Sequence, residues 1–169
     1  MHASVRDFLS GCARRFPKQF GNGCRVVEFG SRDINGTPRQ HFGKPLEWVG
    51  IDCKGGKNVD IVGLCHEYDP DHADYDVVVS TEALEHDPYW EKTLQQAAKL
   101  LRSGGVFAMT CGSENRPAHH LDDSPIRGYY GGRSPAEIRE VLEECAEWSE
   151  LQVSYDRKNL DVVCLGVKA

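Results

Sequence analysis

Residues 24–36, CRVVEFGSRDING, decide how the rest of the chain is read. CRVVEFG (24–30) is a nearly continuous apolar run ending at Gly30, the pattern of a strand buried on both faces in a parallel sheet. A small, turn-prone loop follows, and glycine there lets a ligand approach the backbone closely. The loop does not match G-x-G-x-x-G, which disfavours a pyrophosphate-binding dinucleotide site.

Upstream of this strand, MHASVRDFLSGCARRF lacks the long apolar stretch of a secretory leader. It places Val5, Phe8, Leu9 and Cys12 on one side of an amphipathic helix, and Pro17 to Gly23 is a turn-rich connection. Downstream, EWVGID (47–52) reads as the second strand, NVDIV (58–62) as a short third and YDVVVS (75–80) as the fourth. A helix follows, with Asp87 as cap, Pro88 in its first turn and Leu94, Ala97, Ala98 and Leu101 as its buried stripe. Gly104-Gly105 is expected to stop it before a fifth strand, VFAMTC (106–111). Residues 112–133 read as a loop of polar residues, prolines and glycines.

Ser134-Pro135-Ala136-Glu137 is a capping box with proline at the first helical position, and Ile138, Val141, Leu142 and Cys145 make the next helix amphipathic. ELQVSYD (150–156) and LDVVCLGVK (160–168) flank a short polar turn, so they are expected to be antiparallel neighbours. The expected fold is α/β: one domain spanning 1–169, with a doubly wound, mostly parallel seven-stranded sheet and an antiparallel C-terminal hairpin. Ligands of such sheets bind at the carboxyl ends of strands, which here are Gly30, Asp52, Val62, Ser80 and Cys111.

Composition narrows the partners. Hydrophobic residues are 40% and charged residues 27%, a soluble globular balance, and no apolar run approaches a membrane span. The net charge of −6 and the shortness of the basic cluster Arg14, Arg15 and Lys18 argue against a grip on extended duplex DNA. A small molecule, a sugar or a single terminal nucleotide remains compatible. The seven cysteines include no C-x-x-C pair, and Cys24, Cys111 and Cys164 sit in apolar strand-like runs. That usage points to reduced core thiols and a cytoplasmic location, not to a disulfide framework or zinc site.

Asp52 ends a strand about twenty residues after the glycine loop, where a carboxylate can accept hydrogen bonds from two ribose hydroxyls. Gly30 as a plain turn residue and Asp52 as a strand-end cap is the alternative for either feature alone. Taken with YDVVVSTEALEH (75–86) and AAKLLRSGGVFAMT (97–110), the chain from Cys24 to the C-terminus resembles the class I S-adenosylmethionine-dependent methyltransferases. The likeness is to small members carrying E-x-L-E-H after strand four, whose sheet is Rossmann-like. The resemblance implies S-adenosyl-L-methionine as cofactor. Glu28, Gly30 and Ser31 would line its methionine arm, Asp52 would hold the ribose, Cys53, Leu64 and Cys65 would surround the adenine, and Ser80 would lie at the end of strand four. The sequence departs from the family at its first loop, which lacks the second glycine. It departs again at Leu64, where many relatives carry an Asp for the adenine amino group.

Two readings of STEALEHDP (80–88) stay open. In one, Glu82 meets the methionine end or a backbone amide, Glu85 faces solvent and His86 caps the next helix. In the other, Glu82, Glu85 and His86 join His119, with His120 as its neighbour, in a divalent-metal site. That arrangement resembles the metal-dependent O-methyltransferases acting on adjacent hydroxyls, such as the small-RNA 3′-terminal 2′-O-methyltransferases. Two carboxylates with imidazoles suit Mn²⁺, Fe²⁺ or Zn²⁺, and Mg²⁺ if substrate oxygens complete the shell. Such an ion would lower a hydroxyl pKa; without it, His86 is the natural general base, with Glu82 and Glu85 beside it.

In the 112–133 loop, Tyr129 and Tyr130 either stack on a substrate or pin the loop, and Arg127 or Arg133 meets an anion. Arg32 and Asp33 divide between a local ion pair and a contact with the cofactor carboxylate. The expected activity is methyl transfer, with oxygen favoured as acceptor and a homo-oligomer as one way to close an open cleft. The rivals are a cofactor-binding interaction module without catalysis and a nicotinamide-dependent oxidoreductase.

Overall fold

The computed structural model describes residues 3–119 and 129–169. In chain order the elements are α1 (Ala3–Arg15), β1 (Arg25–Phe29), β2 (Glu47–Asp52), β3 (Ile61–Val62), β4 (Tyr75–Thr81), α2 (Trp90–Leu100), β5 (Leu101–Gly112), α3 (Pro135–Cys145), β6 (Trp148–Asp156) and β7 (Asp161–Lys168). Short 3-10 turns at Pro38–His41, Cys65–Glu67 and Leu84–His86 interrupt the connections. The sheet runs β3-β2-β1-β4-β5-β7-β6. β7 is antiparallel to both of its neighbours, so it alone is reversed. The strand order changes direction between β1 and β4, where Val26 lies beside Val77 and Phe29 beside Ser80. That is the switch point at which open sheets of this kind bind ligands.

Alternate residues of the central strands serve two cores. Val26, Val77, Val79, Val106 and Ala108 pack under α1 through Val5, Leu9 and Cys12. Val27, Phe29, Val78, Phe107 and Met109 pack under α2 and α3 through Leu94, Ala97, Leu100, Ile138 and Leu142. Each fully buried Leu, Val or Phe side chain contributes about 1.5–3 kcal/mol, so both faces clamp β1 and β4 and make their carboxyl ends a rigid platform. The predicted capping box forms: Ser134 Oγ accepts from Glu137 N at 3.2 Å, and Glu137 Oε2 accepts from Ser134 N at 2.8 Å. All seven cysteines are free thiols. Among the described residues, no helix is long and apolar enough to cross a membrane.

Three boundaries differ from the sequence expectation. β3 is only Ile61–Val62, because Asp60 turns back on β2: its carboxylate accepts from Gly50 N at 2.7 Å, and Asn58 adopts a positive φ of 70°. Asp87 caps a turn one step earlier than expected; its carboxylate accepts from Tyr89 N at 2.7 Å and Thr93 Oγ1 at 2.5 Å, and α2 starts at Trp90. Gly104-Gly105 does not end that helix. α2 stops at Leu100, and β5 begins at once with Leu101 opposite Tyr75. The glycines lie within β5, where the register shifts and where a Cβ on Gly105 would stand 2.9 Å from the Tyr75 carbonyl oxygen.

Candidate active site

A cavity of about 340 Å³ opens at the carboxyl ends of β1, β2, β3 and β4. Glu28, Gly30, Ser31, Asp52, Cys53, Leu64, Cys65 and Ser80, all expected from sequence to meet the cofactor, line it. Gly30 carries the sharp exit from β1 with φ 72°, and a Cβ there would stand 2.3 Å from the Ala83 Cβ. The amides of Gly30 and Ser31 both donate to the Ile51 carbonyl, at 2.9 and 3.0 Å, which ties this loop to β2.

Asp52 holds two loops together. Its Oδ2 accepts from Arg32 N at 3.2 Å and its Oδ1 from Lys54 N at 3.0 Å, so the carboxylate stands fixed at the cavity wall. Leu64 precedes the 3-10 turn at Cys65, and Gly63 N donates to the Asp52 carbonyl at 2.9 Å. Burial pushes the Cys65 thiol up to about 12 and raises Cys53 as well, so both are neutral wall atoms. Glu28 is 2% exposed; its Oε2 accepts from Trp48 Nε1 at 2.9 Å and Arg39 Nε at 3.4 Å. Burial pushes its carboxyl up to about 7 against the pull of these two donors. Asp33 pairs with Lys57 at 2.7 Å, which lowers its pKa, while Arg32 lines the cavity.

The other side of the cavity is made by the ends of β4 and β5. Glu82, Thr81, His86, Arg116 and His119 line it. Glu82 has a positive φ of 53°, an uncommon state for a non-glycine residue, and the surrounding bonds hold it there. Its amide donates to the Thr110 carbonyl at 2.8 Å, Thr110 Oγ1 donates to its Oε1 at 3.0 Å, and Arg116 Nη1 donates to its Oε2. The same guanidinium nitrogen donates to Asp161 Oδ1 at 2.6 Å. Burial raises Asp161 to about 6 even so.

Glu85 does not face solvent, as one sequence reading supposed. It is fully buried, lies off the cavity wall, and among the described residues both its oxygens lack a hydrogen-bond partner. Burial and the Glu82 charge push its carboxyl well above the ordinary range; nearby backbone amides and Arg116 oppose that shift without cancelling it. His86 does not cap α2 either, since Asp87 engages that turn. The His86 ring stands at 5.1 Å and 81° to His119 and 5.4 Å from Tyr130, and His119 and Tyr130 are 4.9 Å apart.

The divalent-metal site expected of Glu82, Glu85, His86 and His119 does not fit these residues. Glu82 is engaged by Thr110 and Arg116, Glu85 is held away from the cavity in a neutral-favouring setting, and a guanidinium stands beside them. Among the described residues, no group of three or more His, Cys, Asp and Glu side chains is arranged to hold an ion.

The two tyrosines separate. Arg133 donates to the Tyr129 hydroxyl and lies 4.6 Å over the Trp90 ring, so Tyr129 pins the loop to α2. Tyr130 joins the two imidazoles, and neither tyrosine lines the cavity. Arg127 and His120 lie outside the described residues. Sequence reasoning missed Arg116, Asp161, Arg39 and Trp48 as parts of the site. Asp161 carried a readable signal, a lone acidic residue leading an apolar strand; Arg116 carried none beyond its place beside His119.

A family model described as a methyltransferase domain matches residues 4–144. No curated protein matches the sequence. Among solved structures, the chain is similar to 1,6-didemethyltoxoflavin-N1-methyltransferase of Burkholderia thailandensis, solved with 1,6-didemethyltoxoflavin and S-adenosylhomocysteine. The identity is 16%, over 99% of this chain and 79% of that one, with a TM-score of 0.68. It is also similar to DhpI in complex with S-adenosylhomocysteine, at 20% identity over 95% and 83% of the two chains and a TM-score of 0.64. A Haloferax volcanii methyltransferase bound to the activator Trm112 is 17% identical over 96% and 91%, with a TM-score of 0.63. At these identities the likeness is one of fold.

Proposed function

The chain belongs to the methyltransferase-domain family as a class I S-adenosylmethionine-dependent methyltransferase, and from that premise we propose that it methylates a hydroxyl oxygen with His86 as general base and no divalent ion. The observation that carries this reading is the division of labour around one cavity. His86 lines the same space as Gly30 and Asp52, while the neighbouring carboxylates are engaged by Arg116 or buried away from it.

S-adenosylmethionine, when bound, supplies an electrophilic methyl group. Glu28, Gly30 and Ser31 would line its methionine arm, and Asp52 would take the two ribose hydroxyls from a position its own amide bonds already hold. Cys53, Leu64 and Cys65 would enclose the adenine by packing, since Leu64 offers no acceptor for the amino group. The acceptor, a hydroxyl-bearing small molecule, sugar or terminal nucleotide, would enter past His86, His119 and Tyr130. An alcohol is a weak nucleophile at neutral pH; an imidazole that takes its proton as the methyl moves typically contributes roughly 10²–10⁴ in rate, beyond the gain from holding the two reactants in line.

A panel of hydroxyl acceptors assayed with methyl-labelled cofactor tests this. Transfer to oxygen is expected to survive EDTA and to fall by roughly 10²-fold or more in His86→Ala, with S-adenosylhomocysteine still bound. Product methylated on nitrogen or carbon, or activity abolished by EDTA and restored by Mn²⁺, would overturn it.

A further inference from the structure

The β4 and β5 side of the cavity joins a base to a wall of rings. His86 and His119 line it, their rings 5.1 Å apart at 81°, and Tyr130 backs them at 5.4 and 4.9 Å. The Tyr130 hydroxyl lies against Gly112, where a Cβ would stand 2.5 Å from it. The guanidinium on this side, Arg116, is shared between Glu82 and Asp161, so a phosphoryl group entering here would meet carboxyl groups that already hold the cation. In the same lining, the loop after β1 presents Ile34, which is 51% exposed. Of the large hydrophobic side chains exposed among the described residues, it alone lines the cavity. The loop around it is tied down: Asp33 N donates to the Lys57 carbonyl at 3.0 Å, Lys57 Nζ to Asp33 Oδ2 at 2.7 Å, and Gly36 N to Asp33 Oδ1 at 2.9 Å.

We propose that the acceptor hydroxyl is carried on an aromatic ring, so that the substrate is a phenol. This rests on the reading of His86 as a base that works without a divalent ion. Acidity decides between the classes of hydroxyl. An imidazole ordinarily has a pKa of about 6.5 and a phenol of about 10, whereas an alkyl hydroxyl ionises about as reluctantly as water, at about 16. Proton transfer to an imidazole therefore runs uphill by roughly three to four powers of ten from a phenol and by roughly nine from an alkyl hydroxyl. A metal ion can close the larger gap. Here the carboxyl groups that would hold one are engaged by Arg116 or buried away from the cavity. The ring also has surfaces to meet. Aromatic rings pair edge-to-face or offset at about 4.5–7 Å, which suits the imidazoles of His86 and His119, and an apolar ring edge takes Ile34 out of water. In the step itself, the phenol oxygen gives its proton to the His86 imidazole and an electron pair to the methyl carbon. The C–S bonding pair returns to sulfur, so the sulfonium charge is replaced by an imidazolium charge.

The probes are para-cresol and benzyl alcohol, isomers with the same ring and hydroxyls of very different acidity. With S-adenosylhomocysteine bound, calorimetry should find the two binding within about threefold of each other, because the ring sets the affinity. With S-adenosylmethionine and EDTA, kcat should favour para-cresol by roughly 10²-fold or more, because acidity sets the chemistry. His86→Ala should lose roughly 10²-fold with para-cresol but less than about fivefold with para-nitrophenol, which is largely ionised near neutral pH and needs no base. Ile34→Ser should raise KM for para-cresol by roughly tenfold through lost apolar contact. Benzyl alcohol methylated as fast as para-cresol, no transfer to para-cresol, or no binding of it at millimolar concentration would each overturn the phenol assignment while leaving His86 as a base for another hydroxyl. Product methylated on nitrogen or carbon, or activity that returns only with Mn²⁺, would overturn the reading of the site and this proposal with it.

Discussion

The two sides of the cavity are built by different means. The side made by β1, β2 and β3 is fixed by backbone: the Gly30 and Ser31 amides sit on the Ile51 carbonyl, and Asp52 straddles two loop amides. The side made by β4 and β5 is fixed by side chains bonding to side chains. Arg116 bridges Glu82 and Asp161, Arg133 links Tyr129 to Trp90, and three rings lean on one another. The first kind of site follows from where strands end, and residue type is restricted there chiefly at Gly30, where φ is positive and a Cβ would meet Ala83. The second depends on charge balance, with three carboxyl groups around one guanidinium, so its state changes with pH and its shape changes with single substitutions.

The largest effect should come from the backbone-built side. Asp52→Ala removes the carboxylate proposed for the ribose, and two charge-assisted hydrogen bonds together are worth about 3 kcal/mol or more, or roughly 100-fold in affinity. Calorimetry with S-adenosylhomocysteine is expected to find a loss of that order while the variant still melts cooperatively. A folded variant that binds within about fivefold of the wild type would remove the distinction between the two sides.

That contrast also explains what was legible in the sequence. The apolar run Cys24 to Gly30, the strand end at Asp52 and the capping box at Ser134 are local patterns, and each appears where residue spacing puts it. The same holds for Leu64, Cys65 and Ser80, which reach the cavity because strand ends carry them there. Arg116 and Asp161 are 45 positions apart and meet only because β7 pairs with β5, which puts Asp161 beside Gly112. Nothing in the spacing of Glu82, Glu85 and His86 reveals that one carboxylate turns to an arginine and another into the core. Three polar residues close in sequence do not form one cluster in space. The positive φ at Glu82 and the 3-10 turn at Leu84–His86 send them in different directions.

The charge-built side makes an intermediate prediction. Glu85 and Asp161 both hold their protons to higher pH in the folded chain than in an unfolded one, Asp161 to about 6 and Glu85 further above its ordinary range. The native state therefore binds more protons than the unfolded state above the ordinary carboxylate range, and stability falls as pH rises through that window. Glu85→Gln removes one of these penalties with a side chain of the same shape. Thermal melts should place the variant close to the wild type near pH 5 and above it near pH 8, with methyl transfer retained. A variant melting below the wild type at the higher pH would mean that Glu85 is ionised in the fold. Loss of transfer with cofactor binding intact would return Glu85 to the chemistry.

The smallest effect is expected at Leu64, on the backbone-built side, where the proposed adenine contact lacks the Asp that the family resemblance implies. Leu64→Asp puts a carboxylate at the cavity wall, where it can accept from an adenine amino group. A charge-assisted hydrogen bond contributes about 1.5–3 kcal/mol, against loss of an apolar contact of about 1.5–3 kcal/mol. The fold should not suffer. Leu64 has extended dihedrals of −83° and 133° at the start of the 3-10 turn and makes no side-chain cap bond there, and aspartate is a favoured residue at such a position. Asp52 and Asp87 act on the neighbouring Cys65, so a further carboxylate would enter a region already negative, which trims the gain. The net expectation is an affinity for S-adenosylhomocysteine between unchanged and roughly tenfold tighter, with no gain for the inosine analogue, which lacks the amino group. Calorimetry on the two ligands reads this directly. A gain of equal size for both would assign the effect to the loop and not to the adenine contact. A loss of more than about tenfold in a folded variant would mean that Leu64 makes its contribution by apolar packing, and that this side of the cavity is less governed by strand-end position than its other residues indicate.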